Sequence, residues 1–186
     1  MPRIADAALE GRILDAAYRL WSKGGEEALT MRAVARAAGT TTPTLYERFR
    51  DKDDLLAFLR DRARQKMFSA VGSANSPVGR CRKALTFALT HGNEYRLIAA
   101  DWAIRLGRKE PLPSFALLIE RLAADLGGAP EQHTQLALAL VALVHGTATL
   151  LLAEGVAPRV SKEMRQACLA ACETLIKRSV GAEATI

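Results

Sequence analysis

Aromatic residues are scarce, at 5% of a 186-residue chain, and β-branched residues are sparse outside short runs. Sheets favour those side chains, whereas the abundant Ala and Leu are strong helix formers, so an all-α protein is expected. Cysteine is also scarce. Three cysteines, an odd number, cannot build a disulfide framework and suit a reducing compartment, so a cytoplasmic location is expected. The segment MPRIADAALEGR lacks the apolar stretch of a secretory leader. No Ser/Gly linker long enough to separate independent domains, no internal repeat and no low-complexity tract interrupts the chain. A Gly-rich phosphate loop and a nucleophile elbow are missing too. His91, His133 and His145 fall on separate predicted helices with no Cys or carboxylate at ligand spacing. The expectation is therefore a non-enzyme without catalytic residues, cofactor or metal.

What is present is apolar and basic. Apolar residues make up 49% and charged residues 25% of the chain, enough for a buried core and too little charge for disorder. Leu136 to Ala153 carries no formal charge over 18 residues, the lower limit for a membrane span. His145, Gly146, Thr147 and Thr149 interrupt it and no aromatic belt flanks it, so it reads as a helix buried in a core or a subunit interface. The net charge is +6, but residues 1–68 hold 13 Lys+Arg against 10 Asp+Glu and residues 69–186 hold the same numbers. Bulk charge locates nothing. The window Thr30–Arg50 does, with Arg32, Arg36, Arg48 and Arg50 against Glu47 alone.

Gly and Pro cut the chain into about nine helix-length pieces. Leu9, Ile13, Ala16, Ala17 and Leu20 share one face of a first helix that Gly24-Gly25 should end. Thr30 offers an N-cap to a short second helix stopped by Gly39. Thr40, Thr41 and Thr42 are candidate caps for a third, with Pro43 in its first turn and Leu45 and Phe49 four residues apart. Asp51 is a good N-cap for a long fourth helix carrying Leu55, Leu59, Ala63 and Met67. Further helices are expected at about 78–91, 94–106, 113–126, 132–154 and 161–179, with GRKEPLP, GGAP and GVAPRV between the later ones.

The second and third helices, joined at Gly39, have the spacing of a helix-turn-helix. Leu45 is their buried anchor, leaving Thr41, Thr42, Thr44, Glu47 and Arg48 on an outer surface able to enter a major groove and hydrogen-bond there. An ordinary helical hairpin has the same spacing. The words decide more: ILDAAYRLWSKGGEEA followed by LTMRAVARAAGTTTPTLYERFRDKDDLL resembles the N-terminal domain of TetR-family transcriptional regulators across residues 12–56. That resemblance implies an N-terminal three-helix DNA-binding domain, residues 1–50, and a helical ligand-binding and dimerisation domain, residues 51–186. It implies phosphate contacts from Thr30, Tyr46 and Lys52, base readout by Arg32, and a base-contacting surface at Thr42, Pro43 and Thr44. Two positions depart from the pattern: Glu47, where a neutral or aromatic residue is usual, and Thr40 in place of Val. An acid there would be repelled by phosphate unless it accepts from cytosine N4 or pairs with Arg48 or Arg50.

Farther along, ALVHGTATLLLAEG resembles the subgroup whose effector domain carries a Trp-His-Gly motif, with Val144 at the first position. His145 is either a satisfied buried histidine beside Gly146 or a ligand contact. Trp102, Phe87 and Phe115 would line a family-like cavity with it, though each alone reads as core. Cys168 and Cys172, four residues apart, read as buried small hydrophobes or as a redox sensor. The implied function is sequence-specific DNA binding as a homodimer on a near-palindromic operator, with repression relieved by a small apolar or weakly polar ligand. The rival is a small helical ligand-binding protein or enzyme with an incidental helix-turn-helix.

Overall fold

The computed structural model describes residues 4–108, 110 and 112–183, so Lys109 and Pro111 of the GRKEPLP separator lie outside the described residues. These residues form α1 (Ile4–Ala28), α2 (Met31–Ala38), α3 (Thr42–Tyr46), α4 (Lys52–Gly72), α5 (Pro77–Thr90), α6 (Gly92–Gly107), α7 (Pro113–Leu126), a short 3-10 turn (Pro130–His133), α8 (Thr134–Leu151) and α9 (Pro158–Glu183). No strand occurs among them. The all-α expectation holds, and local chemistry accounts for most boundaries. At Gly25 the backbone takes φ 60° and ψ −145°, a conformation that a side chain would resist, and α1 leaves helical geometry there. Gly39, at φ 67° and ψ 39°, closes α2 as a left-handed cap. Asp51 Oδ1 accepts from the Asp54 backbone N–H at 2.8 Å, capping α4 as expected. The third helix is shorter than expected. Its regular part ends at Tyr46, and a tight turn in which the Phe49 N–H bonds to the Leu45 carbonyl at 3.0 Å carries the chain to the buried Phe49.

Two compact units result. Residues 1–66 with 91–101 make the first, and 67–90 with 102–186 the second. Motif spacing drew the division at residue 50; the compact first unit extends further because its core recruits later residues. Ile13, Ala17, Trp21, Val34, Leu45 and Phe49 of the first three helices share one apolar cluster with Leu55 and Leu59 of α4 and Leu97 of α6. Burying Leu45, Leu55 and Leu59 almost completely stabilises this cluster by about 1.5–3 kcal/mol per side chain.

Polar contacts fasten the same elements. The Trp21 indole N–H donates to the Asn93 carbonyl at 2.9 Å, and the Asn93 amide donates to the Ser22 carbonyl at 3.2 Å. Next to it the buried Glu94 accepts from Ser22 (2.9 Å) and Tyr18 (3.2 Å) of α1 and pairs with Lys66 of α4 (3.4 Å). Further along α6, buried Asp101 receives Arg60 at 3.0 Å and Arg64 at 2.8 Å. Two carboxylates on α6 thus hold α1 and α4.

Burial alone would raise the Glu94 pKa. The bond from its own backbone N–H, the Ser22 hydroxyl and the charges of Lys66 and His91 outweigh it and hold the carboxyl below the usual range. A folded value below the unfolded one means that Glu94 stabilises the fold fully above the ordinary glutamate value of 4.5, and that this contribution fades as pH falls through the lowered value. Urea midpoints measured from neutral pH down to acid should therefore fall less steeply in Glu94→Gln than in wild type. Parallel curves would remove Glu94 from the account.

In the second unit α8 packs against α5, α7 and α9, and α5 also against α9. Leu85, Phe87, Leu122, Ala137, Leu140, Val144, Ala148, Cys172 and Ile176 are buried there. The 3-10 turn before α8 is held by buried His133, whose Nε2 lies 2.7 Å from the Gly127 carbonyl.

Candidate nucleic-acid interface

The helix-turn-helix residues all lie in the first unit, and each cap serves two purposes. Thr30 Oγ accepts from the Ala33 backbone N–H at 3.1 Å, which starts α2 and leaves the hydroxyl proton free to donate to an anion at a helix N-terminus. Arg32, the second residue of α2, is exposed, as is Arg36 four residues later. The two guanidiniums therefore stand on one face of α2, opposite the buried Val34, Ala35 and Ala38.

Thr41 caps α3 in the same way. Its oxygen accepts from the Thr44 backbone N–H at 3.3 Å, and the Thr41 and Thr44 hydroxyl oxygens lie 2.9 Å apart. Leu45 is completely buried and orients the helix. Thr41, Pro43 and Tyr46 are exposed, Tyr46 by 51%, while Thr42 and Thr44 are half-buried. Arg48 differs from the open outer face that spacing suggested. Its Nη1 donates back to the Thr44 carbonyl at 3.2 Å and lies 3.8 Å from Glu47, so the acid that departs from the pattern is paired with a neighbouring base. Lys52 Nζ bonds to Glu26 at 3.1 Å. An exposed pair of this kind is worth only about 0–1 kcal/mol, so a phosphate can take the ammonium from Glu26 at little cost.

The remaining sequence-selected residues occupy the second unit. Phe87 on α5 is buried; Trp102 on α6, Phe115 on α7 and His145 on α8 are half-buried. Phe87, Phe115 and His145 thus stand on helices that pack together through α8. Among the described residues, no group of three or more His, Cys, Asp or Glu side chains is arranged to hold a metal ion.

Spacing missed Glu26, Glu94, Asp101, Arg60 and Arg64. In sequence they read as ordinary helix-surface charges, and only the tertiary neighbours of each give it a role.

Residues 13–58, the helix-turn-helix and its flanks, match bacterial regulatory proteins of the tetR family. Residues 79–174, more than half of the chain, match the tetracyclin repressor-like C-terminal domain. The chain belongs to the TetR family. It is a DNA-binding transcriptional regulator with a C-terminal domain of the ligand-binding type. TetR-family regulators are soluble DNA-binding proteins and generally not enzymes. Solved structures share the fold. The transcriptional regulator SCO7222, a TetR from Streptomyces coelicolor, is 22% identical over 91% of this chain and 96% of its own, with a TM-score of 0.65. The multidrug binding protein EbrR, solved with imidazole, is 22% identical over 94% and 93%, with a TM-score of 0.62. A variant TetR from Acinetobacter baumannii AYE, solved with minocycline, is 20% identical over 90% and 94%, also with a TM-score of 0.62. No curated protein matches the chain.

Proposed function

We propose that this TetR-family chain acts in the cytoplasm as a homodimeric repressor that occupies a near-palindromic operator and releases it on binding a small apolar or weakly polar molecule. The observation that carries the reading is the surface running from Thr30 to Lys52, where two capped short helices expose Arg32, Thr41, Pro43 and Tyr46 around a fully buried Leu45. Thr30, Tyr46 and Lys52 hold phosphates, and Arg48 joins them once it leaves Glu47. Arg32 reads guanine O6 and N7, and the Pro43 ring with the methyls of Thr42 and Thr44 meets thymine methyls. Half-sites about 34–36 Å apart let two α3 helices enter successive major grooves.

Dimerisation is supported by α8. The stretch Pro130–Leu151 is long and apolar enough to cross a membrane, yet only 22% of its apolar 18-residue window is buried within the chain. In a DNA-binding regulator that surface needs a partner, and Leu138, Ala142 and Leu150 of α8 and Ala167, Ala170 and Thr174 of α9 are each exposed. Two copies pairing these helices make a four-helix bundle. Two similar proteins hold minocycline and imidazole, which supports a small-molecule effector in the second unit, near Trp102, Phe87, Phe115 and His145. Both α4 and α6 begin in the first unit and end in the second, so these helices carry the ligand's effect to the DNA surface. The ligand must prefer the DNA-free state, since equal affinity for both states shifts nothing.

The test starts with selection of a duplex from a random-sequence pool. On that duplex Arg32→Ala should cost about 1–3 kcal/mol and relax base preference at one position, whereas Lys52→Ala should weaken all sequences alike and reduce the salt slope by about 1. An Arg32→Ala protein with unchanged affinity and preference would sink the readout role.

A further inference from the structure

Glu47 is the single acid between Thr30 and Arg50, a stretch with four arginines, and it stands on the surface proposed to meet DNA. Backbone geometry sets its place. The Glu47 N–H bonds to the Pro43 carbonyl at 3.1 Å, and its own φ −66° and ψ −19° are helical, so the spiral of α3 runs on through this residue. At about 100° per residue, Glu47 and Pro43 each lie about 200° around the axis from Leu45, which is completely buried. Both therefore face away from the core, one turn apart. The Glu47 side chain is 71% exposed there.

Its carboxylate also brings open acceptor capacity to that surface. Arg48 Nη1 lies 3.8 Å from Glu47 Oε2, close enough for charge attraction but beyond hydrogen-bond distance, and the same Nη1 donates to the Thr44 carbonyl at 3.2 Å. We infer, on the operator-binding reading given above, that Glu47 reads sequence: its carboxylate accepts the N4–H of a cytosine in the major groove and so fixes one C·G pair in each half-site.

Chemistry selects the base. An ionised carboxylate only accepts hydrogen bonds, so phosphate oxygens, guanine O6 and N7, and thymine O4 all repel it. Adenine places its N6–H donor beside the N7 acceptor, a pairing that suits an amide and sets one carboxylate oxygen against a lone pair. Cytosine presents the N4–H donor without that neighbour. A carboxylate that lost its water in the groove and found no donor would oppose binding. Reading cytosine removes that penalty, and the surrounding arginines keep the local charge positive, which holds the acid close to DNA despite the phosphates.

The test compares the duplexes selected from a random-sequence pool by full-length wild type, Glu47→Ala and Glu47→Gln, each checked for helix content by circular dichroism. Wild type should select cytosine at one position of each half-site, and changing that C·G pair to T·A should weaken binding on the order of tenfold. In Glu47→Ala the same change should matter less than about twofold, with the rest of the site preserved. Glu47→Gln should move the preference at that position to adenine, whose N6 and N7 match an amide. Arg48→Ala should weaken every duplex alike and keep the cytosine. Identical base preferences in wild type and Glu47→Ala would overturn the inference, even if the variant bound every sequence more tightly, because the carboxylate would then only restrain Arg48. A cytosine preference that survives Glu47→Ala and vanishes with Arg48→Ala would overturn it too, assigning the guanine of that pair to Arg48. Wild type that selects no duplex at all defeats the operator-binding reading and this inference together, a result distinct from a selected site that ignores Glu47.

Discussion

Glutamate in place of Leu138 is expected to give a monomer that no longer holds its operator. Leu138 is 50% exposed in the single chain and Leu150 59%, and small Ala142 one turn beyond Leu138 lets another helix approach closely. Inside a two-fold bundle the new carboxylate would be desolvated without a cation, at a cost of several kcal/mol in each protomer. A monomer grips one half-site, so the gain from linking two recognition units, roughly 10²–10⁴ in affinity, is lost. Light scattering should report half the wild-type mass, and DNA titration should show the weakened binding. Leu150→Glu should act in the same direction and Leu138→Met should not. Wild-type protein that is monomeric at micromolar concentration would refute the dimer outright.

Removal of the Asp101 carboxylate should produce a large loss of stability. Its side chain is 5% exposed and receives both Arg60 and Arg64, each about one-fifth exposed. Alanine leaves two half-buried guanidiniums without their shared partner, and breaking such a pair costs about 3–5 kcal/mol. The lower end is expected, because Arg64 also reaches Asp61 and both guanidiniums touch water. Arg60→Ala and Arg64→Ala should each cost less, since the other arginine stays on the carboxylate. Urea denaturation of the three variants measures the order. A loss below about 1 kcal/mol for Asp101→Ala would place the cluster with ordinary surface ion pairs. The functional consequence follows from position: Asp101 is the last residue of the α6 segment that belongs to the first unit. Freeing it loosens α6 from α4 and leaves the Glu94–Lys66 pair to join them. DNA binding by the variant should accordingly respond less to any effector, even at temperatures where it remains folded.

The amino-acid sequence by itself determined the helices and the DNA-reading motif. Thr30, Gly39, Thr41, Pro43 and Asp51 act within one turn of their own positions, through cap bonds and allowed backbone angles, so their meaning is readable without tertiary structure. The same holds for Leu45, whose place in the motif marks it as the buried anchor of a short helix. The end of α3 was less legible, because the turn after Tyr46 is set by burial of Phe49 and not by a breaking residue. Only the tertiary structure decided which charges are partnered. Glu26 lies 26 residues from Lys52, Tyr18 lies 76 from Glu94, and Arg60 lies 41 from Asp101, and no local rule links residues so far apart. Short-range hydrogen bonds and steric limits are written into neighbouring residues, whereas the pairing of charges depends on which helix faces meet when apolar surface is buried.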